Sequence, residues 1–190
     1  MSLRLFVAIA LPAEIKTRLA SLCGGLAEAK WVPEPNFHLT LRFIGSVDEV
    51  MADDIMAALD SVRAPAFSID LDGIGHFGNA HQVRTLWVRA ASNPALDHLV
   101  GKIESALVRC GLAPESRKFT AHVTLARFNR LPSPERLGTW IAAHNLFRAG
   151  PIAVNRFALF SSTLSADGST YHVEAEFRLD GGWQDDAFAK

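Results

Sequence analysis

The chain has little of several features that mark particular classes of protein. It contains only two cysteines, Cys23 and Cys110, which are too few for a disulfide framework and too far apart for a C-x-x-C pair. No apolar run reaches the roughly 18 to 20 residues that cross a bilayer, and the N-terminus has no signal-peptide cleavage pattern. These absences predict a cytoplasmic protein with no membrane segment.

The charges show no large excess of either sign. Lys and Arg number 19 and Asp and Glu number 20, so the formal net charge is −1 and the pI is near 6.6. Proteins that coat nucleic acid need many cations to neutralise phosphates, so this class is disfavoured, whereas a protein that binds one nucleic-acid end remains open. The hydrophobic fraction of 49% over residues 1–190 suits one compact domain or two tightly joined lobes.

Strand and helix periods alternate along the chain. Apolar or alternating runs predict strands over 4–10, 38–43, 67–72, 84–90, 122–127, 152–161 and 171–179. Apolar stripes at helical spacing predict helices over 11–26, 47–62, 93–111 and 133–144. Most strands have one wet face, which predicts mainly antiparallel sheet and an α+β fold. Gly73 to Val83, with His76 and His81, is predicted to be the longest loop and a candidate rim of a cleft.

One short pattern occurs twice. His38-Leu39-Thr40-Leu41 returns as His122-Val123-Thr124-Leu125, 84 positions later (122 − 38). On a strand the His and Thr of each copy face one side and the aliphatic residues face the other. Two such strands related by a pseudo-two-fold axis would place two imidazoles and two hydroxyls across one cleft.

Two opposed histidines suit displacement at phosphorus. The attacking oxygen enters on one side of the phosphate and the leaving oxygen departs on the other, so a base and an acid are needed on opposite sides. Histidine fits both roles because its ordinary pKa of about 6.5 allows one ring to be neutral and the other protonated. The threonine hydroxyls can donate hydrogen bonds to the phosphate oxygens.

Simpler interpretations apply to each copy taken alone. A single H-x-T tripeptide is common by chance, and a lone strand histidine is usually a solvated or core group. A zinc site is less favoured, because neither copy has a second His, Cys or carboxylate at ligand spacing. Of the other histidines, only His76 and His81 lie in a predicted loop near a cleft, and the four tryptophans (Trp31, Trp87, Trp140 and Trp183) fit packing roles.

The paired motifs, together with RLFVAIALP, WVPEPNFHLTLRFIG, RKFTAHVTLARF and FALFSSTLSADGSTYHV, resemble the two-histidine (2H) phosphoesterase superfamily. Within it the chain resembles the RNA 2′,3′-cyclic phosphodiesterases, also called 2′-5′ RNA ligases, over nearly its whole length. The resemblance implies a bilobal α+β fold of two mainly antiparallel sheets with flanking helices. Each lobe carries one H-x-T motif. The family usually has proline before its second motif histidine, where this chain has Ala121.

The resemblance also implies an activity and a set of site residues. The family opens an RNA 2′,3′-cyclic phosphate to a 2′-phosphate without metal or cofactor. Carried over, His38 is the proton donor and His122 the proton acceptor, although the symmetric motifs alone do not assign these roles. Thr40 and Thr124 would hold the phosphate.

Two arginines are candidates for the phosphate. The family's phosphate-binding arginine matches Arg127, but strict pleating would turn Arg127 away from His122. A bulge, the strand end or the reach of the long side chain must then bring it back. Arg42 shares the face of His38 by period alone and is the weaker candidate.

Several partners and substrates follow as alternatives. The expected partners are RNA ends, including tRNA fragments, and the chain is expected to be a monomer. The same residues could act on small cyclic phosphates or 2′-5′ oligonucleotides, or join RNA ends through a 2′-5′ bond. A non-catalytic RNA-end binder is a further hypothesis, although a binder needs no acid and base pair.

Overall fold

The computed structural model describes residues 2–78, 82–130, 132–165 and 168–180, and His81 and Trp183 lie outside these ranges. The strands are β1 (Ser2–Ala10), β2 (Ala29–Trp31), β3 (His38–Asp48), β4 (Phe67–Phe77), β5 (Thr85–Ala90), β6 (His122–Phe128), β7 (Arg148–Val154), β8 (Arg156–Ser165) and β9 (Gly168–Arg178). The α-helices are α1 (Ala13–Ala20), α2 (Glu49–Asp60), α3 (Pro94–Arg109) and α4 (Pro134–His144). None of the described helices is long and apolar enough to span a membrane.

The strands form two antiparallel halves of a curled sheet. One half has the order β3-β1-β8-β9 and the other the order β6-β5-β4-β7, with β2 added on β6. The halves join where Leu39 of β3 pairs with Val123 of β6. The predicted α+β class with two antiparallel, mutually related lobes is confirmed, and the two sheets share this one junction.

The helices cover one face of the sheet. Each contributes apolar residues to a single large core cluster, represented by Ile15, Ile55, Ile103 and Leu137. The opposite face has only a small cluster of its own, made of Phe6, Ala8, Ala158 and Phe160 with Tyr171 packed against it. The sheet therefore has a core face under the helices and a second face, here called the cleft face.

The helix starts follow the sequence signals. Asp48 accepts from Met51 N at the start of α2, and Ser133 accepts from Arg136 N at the start of α4. Asn93 accepts from Ala95 N and Leu96 N, with Pro94 following at the first helical position. Past the end of α3, Gly111 has the positive φ that was expected of it.

Some predicted bounds were wrong. The stripe over 11–26 predicted a helix about twice as long as α1, which ends at Ala20; Leu26 is nevertheless buried because it packs from a loop. The strand predicted over 152–161 is two strands, β7 pairing with β4 and β8 pairing with β1. Only Asn155 separates them, so a single apolar pattern runs through a crossover between the two halves of the sheet.

The loop predicted over 73–83 was wrong at its beginning, because β4 continues to Phe77. Glycine is needed at three positions of this stretch for different reasons. Gly73 has φ +75° where the β4–β5 register shifts, Gly75 lies under a tryptophan, and Gly78 has φ +106° where the strand ends. Phe77 at the end of β4 does line the cleft described below.

The Asn93 cap gives a test of the fold. We expect Asn93→Ala to lower the free energy of unfolding by about 1 kcal/mol, because two backbone N–H groups of α3 lose their acceptor. Denaturant unfolding measures the change. Asn93→Asp, which keeps an acceptor oxygen, is the matched control, and an alanine variant as stable as the aspartate variant would contradict this assignment.

Candidate active site

The two H-x-T motifs meet where the halves of the sheet join. Leu39 and Val123 are directly opposed on antiparallel strands and are fully buried on the core face. An antiparallel pair has a local two-fold axis, and neighbours on either side of it face away from the core. His38, Thr40, His122 and Thr124 therefore lie on the cleft face, where the antiparallel register places His38 across from Thr124 and Thr40 across from His122.

Each motif histidine is held by the same backbone contact. His38 Nδ1 lies 2.7 Å from Asn36 O, and His122 Nδ1 lies 2.6 Å from Thr120 O. Since a carbonyl only accepts, Nδ1 must donate its hydrogen in both rings. Nε2 of each histidine is then the nitrogen that can accept or give a proton. The repeated sequence thus produces two imidazoles in the same tautomer.

Aromatic rings surround His38. Phe6 lies 4.9 Å from it between ring centroids, and Tyr171 meets it edge-on at 5.2 Å and 90°. Phe6 itself stacks on Phe160 at 5.2 Å and 9°. This packing removes much of the water from the ring of His38.

His122 has an aromatic wall of its own. Phe77 meets its ring edge-on at 4.8 Å and 88°, and Trp87 lies 5.6 Å away. Trp87 is only 8% exposed and sits over Gly75, where a Cβ would come 2.1 Å from its Cη2. Gly75 therefore provides the space for the indole. Trp87 Nε1 is buried and has no hydrogen-bond partner among the residues that the structure describes.

Burial shifts both histidines toward the neutral form. It lowers the pKa of His38 to about 4, against the opposing effect of the Asn36 hydrogen bond. Nearby positive charge on Lys16, Arg127 and His122 lowers that pKa further. Burial also lowers the pKa of His122, opposed by the hydrogen bond to Thr120. An anion bound between the rings would raise both pKa values, because it favours the protonated form.

One-residue bulges set the strand positions of the two candidate arginines. In β6 the pairing with β5 skips Leu125, so Arg127 lies opposite Thr85, with which it lines the cleft. A bulge was one of the three ways in which the Arg127 side chain was expected to reach the side of His122. In β3 the pairing with β1 skips Leu41, so Arg42 lies opposite Val7 of the core.

Arg42 is nevertheless among the residues that line the cleft described below, so its assignment as the weaker phosphate candidate stays a prediction. Its guanidinium hydrogen-bonds Glu104 at 2.6 Å, and it also donates to the carbonyls of Phe43 and Ala113. Phe43 instead takes the position on β3 that corresponds to Arg127 on β6. The two half-sites thus differ at this one point, with a cation on one side and an aromatic ring on the other.

A cleft of about 950 Å³ opens along this face. Its lining includes Thr40, His122, Thr124 and Arg127 together with Phe43. Neither threonine hydroxyl has a hydrogen-bond partner among the described residues. Arg127 likewise has no carboxylate partner in the described part of the chain. Donors that have no protein acceptor are available to an anion.

The described residues contain no cluster of three or more His, Cys, Asp or Glu side chains that could hold a metal ion.

Sequence reasoning missed three aromatic neighbours of the histidines: Phe77, Trp87 and Tyr171. Trp87 could have been found, because it alternates with Leu86 and Val88 and so falls on the wet face of β5. Tyr171 was predicted on a buried face with Phe177. The pairing of β8 with β9 skips Glu174, which moves Tyr171 to the cleft face.

Comparison with known proteins agrees with this geometry. The family model described as LigT like Phosphoesterase matches the chain twice, over residues 9–87 and 88–171. A protein of Thermotoga maritima named RNA 2′,3′-cyclic phosphodiesterase is 33% identical over 187 residues, covering 95% of this chain and 97% of its own. A protein of Aeropyrum pernix with the same name is 33% identical, covering 85% of this chain and 94% of its own.

Solved structures give the same result. The crystal structure of E. coli LigT complexed with 3′-AMP superposes with a TM-score of 0.74 at 26% identity, covering 95% of this chain and 99% of that one. A protein of Thermus thermophilus, TT0787, has a TM-score of 0.74 at 25% identity, covering 92% of this chain and 97% of its own. The two half-sites, the repeated family match and these likenesses agree, and the chain is an enzyme of the LigT-like family within the two-histidine phosphoesterases.

Proposed function

We propose that this protein hydrolyses RNA 2′,3′-cyclic phosphate ends to 2′-phosphates, with its two motif histidines as acid and base and without a metal ion. The observation that carries the proposal is the matched pair of Nδ1 hydrogen bonds, which leaves Nε2 of each ring as the nitrogen for proton transfer. The names of the relatives from Thermotoga maritima and Aeropyrum pernix support the substrate class.

The proton transfers balance over one turnover. His122 Nε2 takes a proton from water as the water oxygen bonds to phosphorus. The bond between phosphorus and the ribose O3′ breaks, and O3′ receives the proton carried by His38 Nε2. A second exchange with solvent returns both rings to their starting states. The roles of His38 as donor and His122 as acceptor follow the family resemblance.

The remaining motif residues would hold the phosphate. Thr40 and Thr124 lie across the junction from the opposite histidine, where their hydroxyls can donate to the two non-bridging oxygens. Arg127, turned into the cleft by the bulge, supplies the positive charge. Arg42 is not assigned to the phosphate, because its donors are already used by Glu104 and two carbonyls.

Related activities use the same residues. Small cyclic phosphates or 2′-5′ oligonucleotides would meet the same pair of histidines, and running the reaction backwards would join two RNA ends through a 2′-5′ bond. A non-catalytic RNA-end binder is less well supported, since two half-buried histidines held in one tautomer serve proton transfer better than binding. We propose RNA ends in the cytoplasm, tRNA fragments among them, as the substrates of a monomeric enzyme.

The histidine pair predicts a specific pH dependence. A reaction that needs one protonated and one neutral histidine is fastest between their two pKa values. Both pKa values in the free enzyme lie below the ordinary 6.5, so kcat/KM on a cyclic-phosphate oligonucleotide should form a bell whose maximum is below pH 6.5. The kcat profile should lie at higher pH, because the bound phosphate raises both values.

Alanine variants complete this test. His38→Ala and His122→Ala should each lose at least about 100-fold in kcat, the usual contribution of a general acid or base. His172→Ala, on the exposed surface of β9, is the matched control. A single-limbed profile, or turnover kept in either motif variant, would contradict the paired mechanism.

The indole beside His122 gives a second prediction. Trp87→Leu should admit water to the His122 ring and so raise its pKa toward 6.5, moving the limb of the rate profile that reports His122 to higher pH. Titration of the His122 ring by NMR measures the shift directly. Trp140→Leu is the control, since Trp140 is equally buried but packs on Trp31 and His144. Equal His122 pKa values in both variants would refute this role.

The two arginines should behave differently. Arg127→Ala should raise KM and weaken inhibition by inorganic phosphate about 10-fold or more, because a charged donor to the anion is lost. Arg42→Ala should instead lower the free energy of unfolding, since Glu104 and Glu115 lose their cation. The reverse pattern, with phosphate inhibition weakened only in the Arg42 variant, would overturn the assignment.

A further inference from the structure

The cleft continues beyond the residues that would hold the terminal phosphate. Because β3 and β6 pair only at Leu39 and Val123, β3 diverges from the segment that leads into His122. The space between them reaches α3 and is continuous with the cleft at Thr124. We call this part the side cleft. It is lined by Phe43 of β3, Lys118 and Phe119 of the segment, and Val100 and Gly101 of α3.

The walls of the side cleft are fixed by one buried arginine. Arg42 donates to Glu104 of α3 at 2.6 Å and to Ala113 O at 2.7 Å. Glu104 in turn accepts from Glu115 N at 2.8 Å. These bonds tie β3, α3 and the segment before His122 together, so the side cleft exists before any ligand binds.

The charges of the side cleft are unequal along its length. Arg42 is matched by Glu104, and Arg117 pairs with Glu115 at 2.8 Å, which lowers the pKa of that carboxyl to about 2. Lys118 is different, because it has no carboxylate partner among the described residues. It therefore offers a free cation on the segment that leads into His122.

An exposed aromatic ring completes the surface. Phe43 is 40% exposed, which is unusual for a phenylalanine on a sheet, and it lines the same cleft as Lys118. A cation beside an aromatic face is the combination with which proteins bind single-stranded nucleic acid, the cation meeting a phosphate and the ring a base. The whole cleft is also near the upper end of the volumes that enclose one small ligand.

We propose that the side cleft binds the nucleotide that precedes the terminal cyclic one, with Lys118 on the phosphate between the two and Phe43 against a base. The preferred substrate class is then an oligonucleotide end rather than a cyclic mononucleotide. This inference rests on the proposed function, because the histidine pair must hold the terminal phosphate for the chain to extend along the side cleft.

Filling the side cleft tests the proposal. A Cβ at Gly101 would meet no atom within 4 Å, so Gly101→Leu places a side chain in open space and suits a helix better than glycine. We expect kcat/KM for a tetranucleotide with a 2′,3′-cyclic end to fall about 10-fold, the range of one stacked base, while the value for the cyclic mononucleotide is unchanged. Lys102→Leu, next in α3 but outside the cleft lining, is the matched control and should change neither.

The second experiment removes the positive charge of Lys118. Lys118→Ala should weaken binding of the tetranucleotide with a 3′-phosphate, measured by fluorescence anisotropy, and reduce the salt dependence of that binding by about 0.7 in slope, as expected for one lost phosphate contact. This binding readout does not depend on turnover.

The outcomes of these experiments distinguish the proposed hydrolysis from the proposed binding in the side cleft. A wild-type enzyme that hydrolyses neither substrate refutes the proposed function, and the anisotropy experiment then decides the side cleft independently. Equal losses on the tetranucleotide and the mononucleotide in Gly101→Leu, or an unchanged salt slope in Lys118→Ala, refute the side cleft while leaving the proposed function intact.

Discussion

The pairing of Leu39 with Val123 is the constraint on which the rest of the site depends. These two residues are buried on the core face, and they are the only register partners between β3 and β6. Because antiparallel pairing has a local two-fold axis, identical motifs on the two strands become symmetric half-sites without any further device. A slip of either strand by one residue would turn that strand's histidine toward the core. The catalytic geometry is therefore stabilised by the hydrophobic packing beneath it.

The two half-sites are symmetric at the junction, but the residues around them differ. Both histidines have the same tautomer and an aromatic wall, but Arg127 on one half corresponds to Phe43 on the other. A single cation biases the position of a bound phosphate, and a ring in the matching place leaves room for the rest of a nucleotide. The proposed mechanism takes one acid and one base from two copies of one motif, and so it requires some such difference. It is supplied here by the surroundings of the histidines.

The sequence was sufficient for most of the fold because its signals are local. Asn93-Pro94 and Ser133-Pro134 mark helix starts by hydrogen bonding that involves only a few neighbouring residues. The repeated H-x-T was also sufficient to place four side chains on one face, since the strand period holds over three residues. The roles proposed for those side chains remain predictions.

Several of the misplaced side chains share one physical origin, which is the β-bulge. The period of two is lost at Leu41 and Leu125, so Arg42 lies opposite Val7 of the core and Arg127 lies opposite Thr85 at the cleft. The same event at Glu174 moves Tyr171 to the cleft face. A bulge depends on how two strands that are distant in sequence pair with each other. It therefore cannot be predicted from the apolar pattern of one strand alone. The crossover at Asn155 was missed for a related reason, because pairing partners decide where one apolar run is divided.

The position of the phosphate in the product tests the central claim most directly. An RNA with a 2′,3′-cyclic end is incubated with the protein in the presence of EDTA, and the product is assigned by ³¹P NMR. The proposed mechanism, in which His38 gives its proton to O3′, predicts a 2′-phosphate alone, formed at the same rate with and without the chelator. A 3′-phosphate, a mixture of the two isomers, or a reaction that needs added metal would contradict the account.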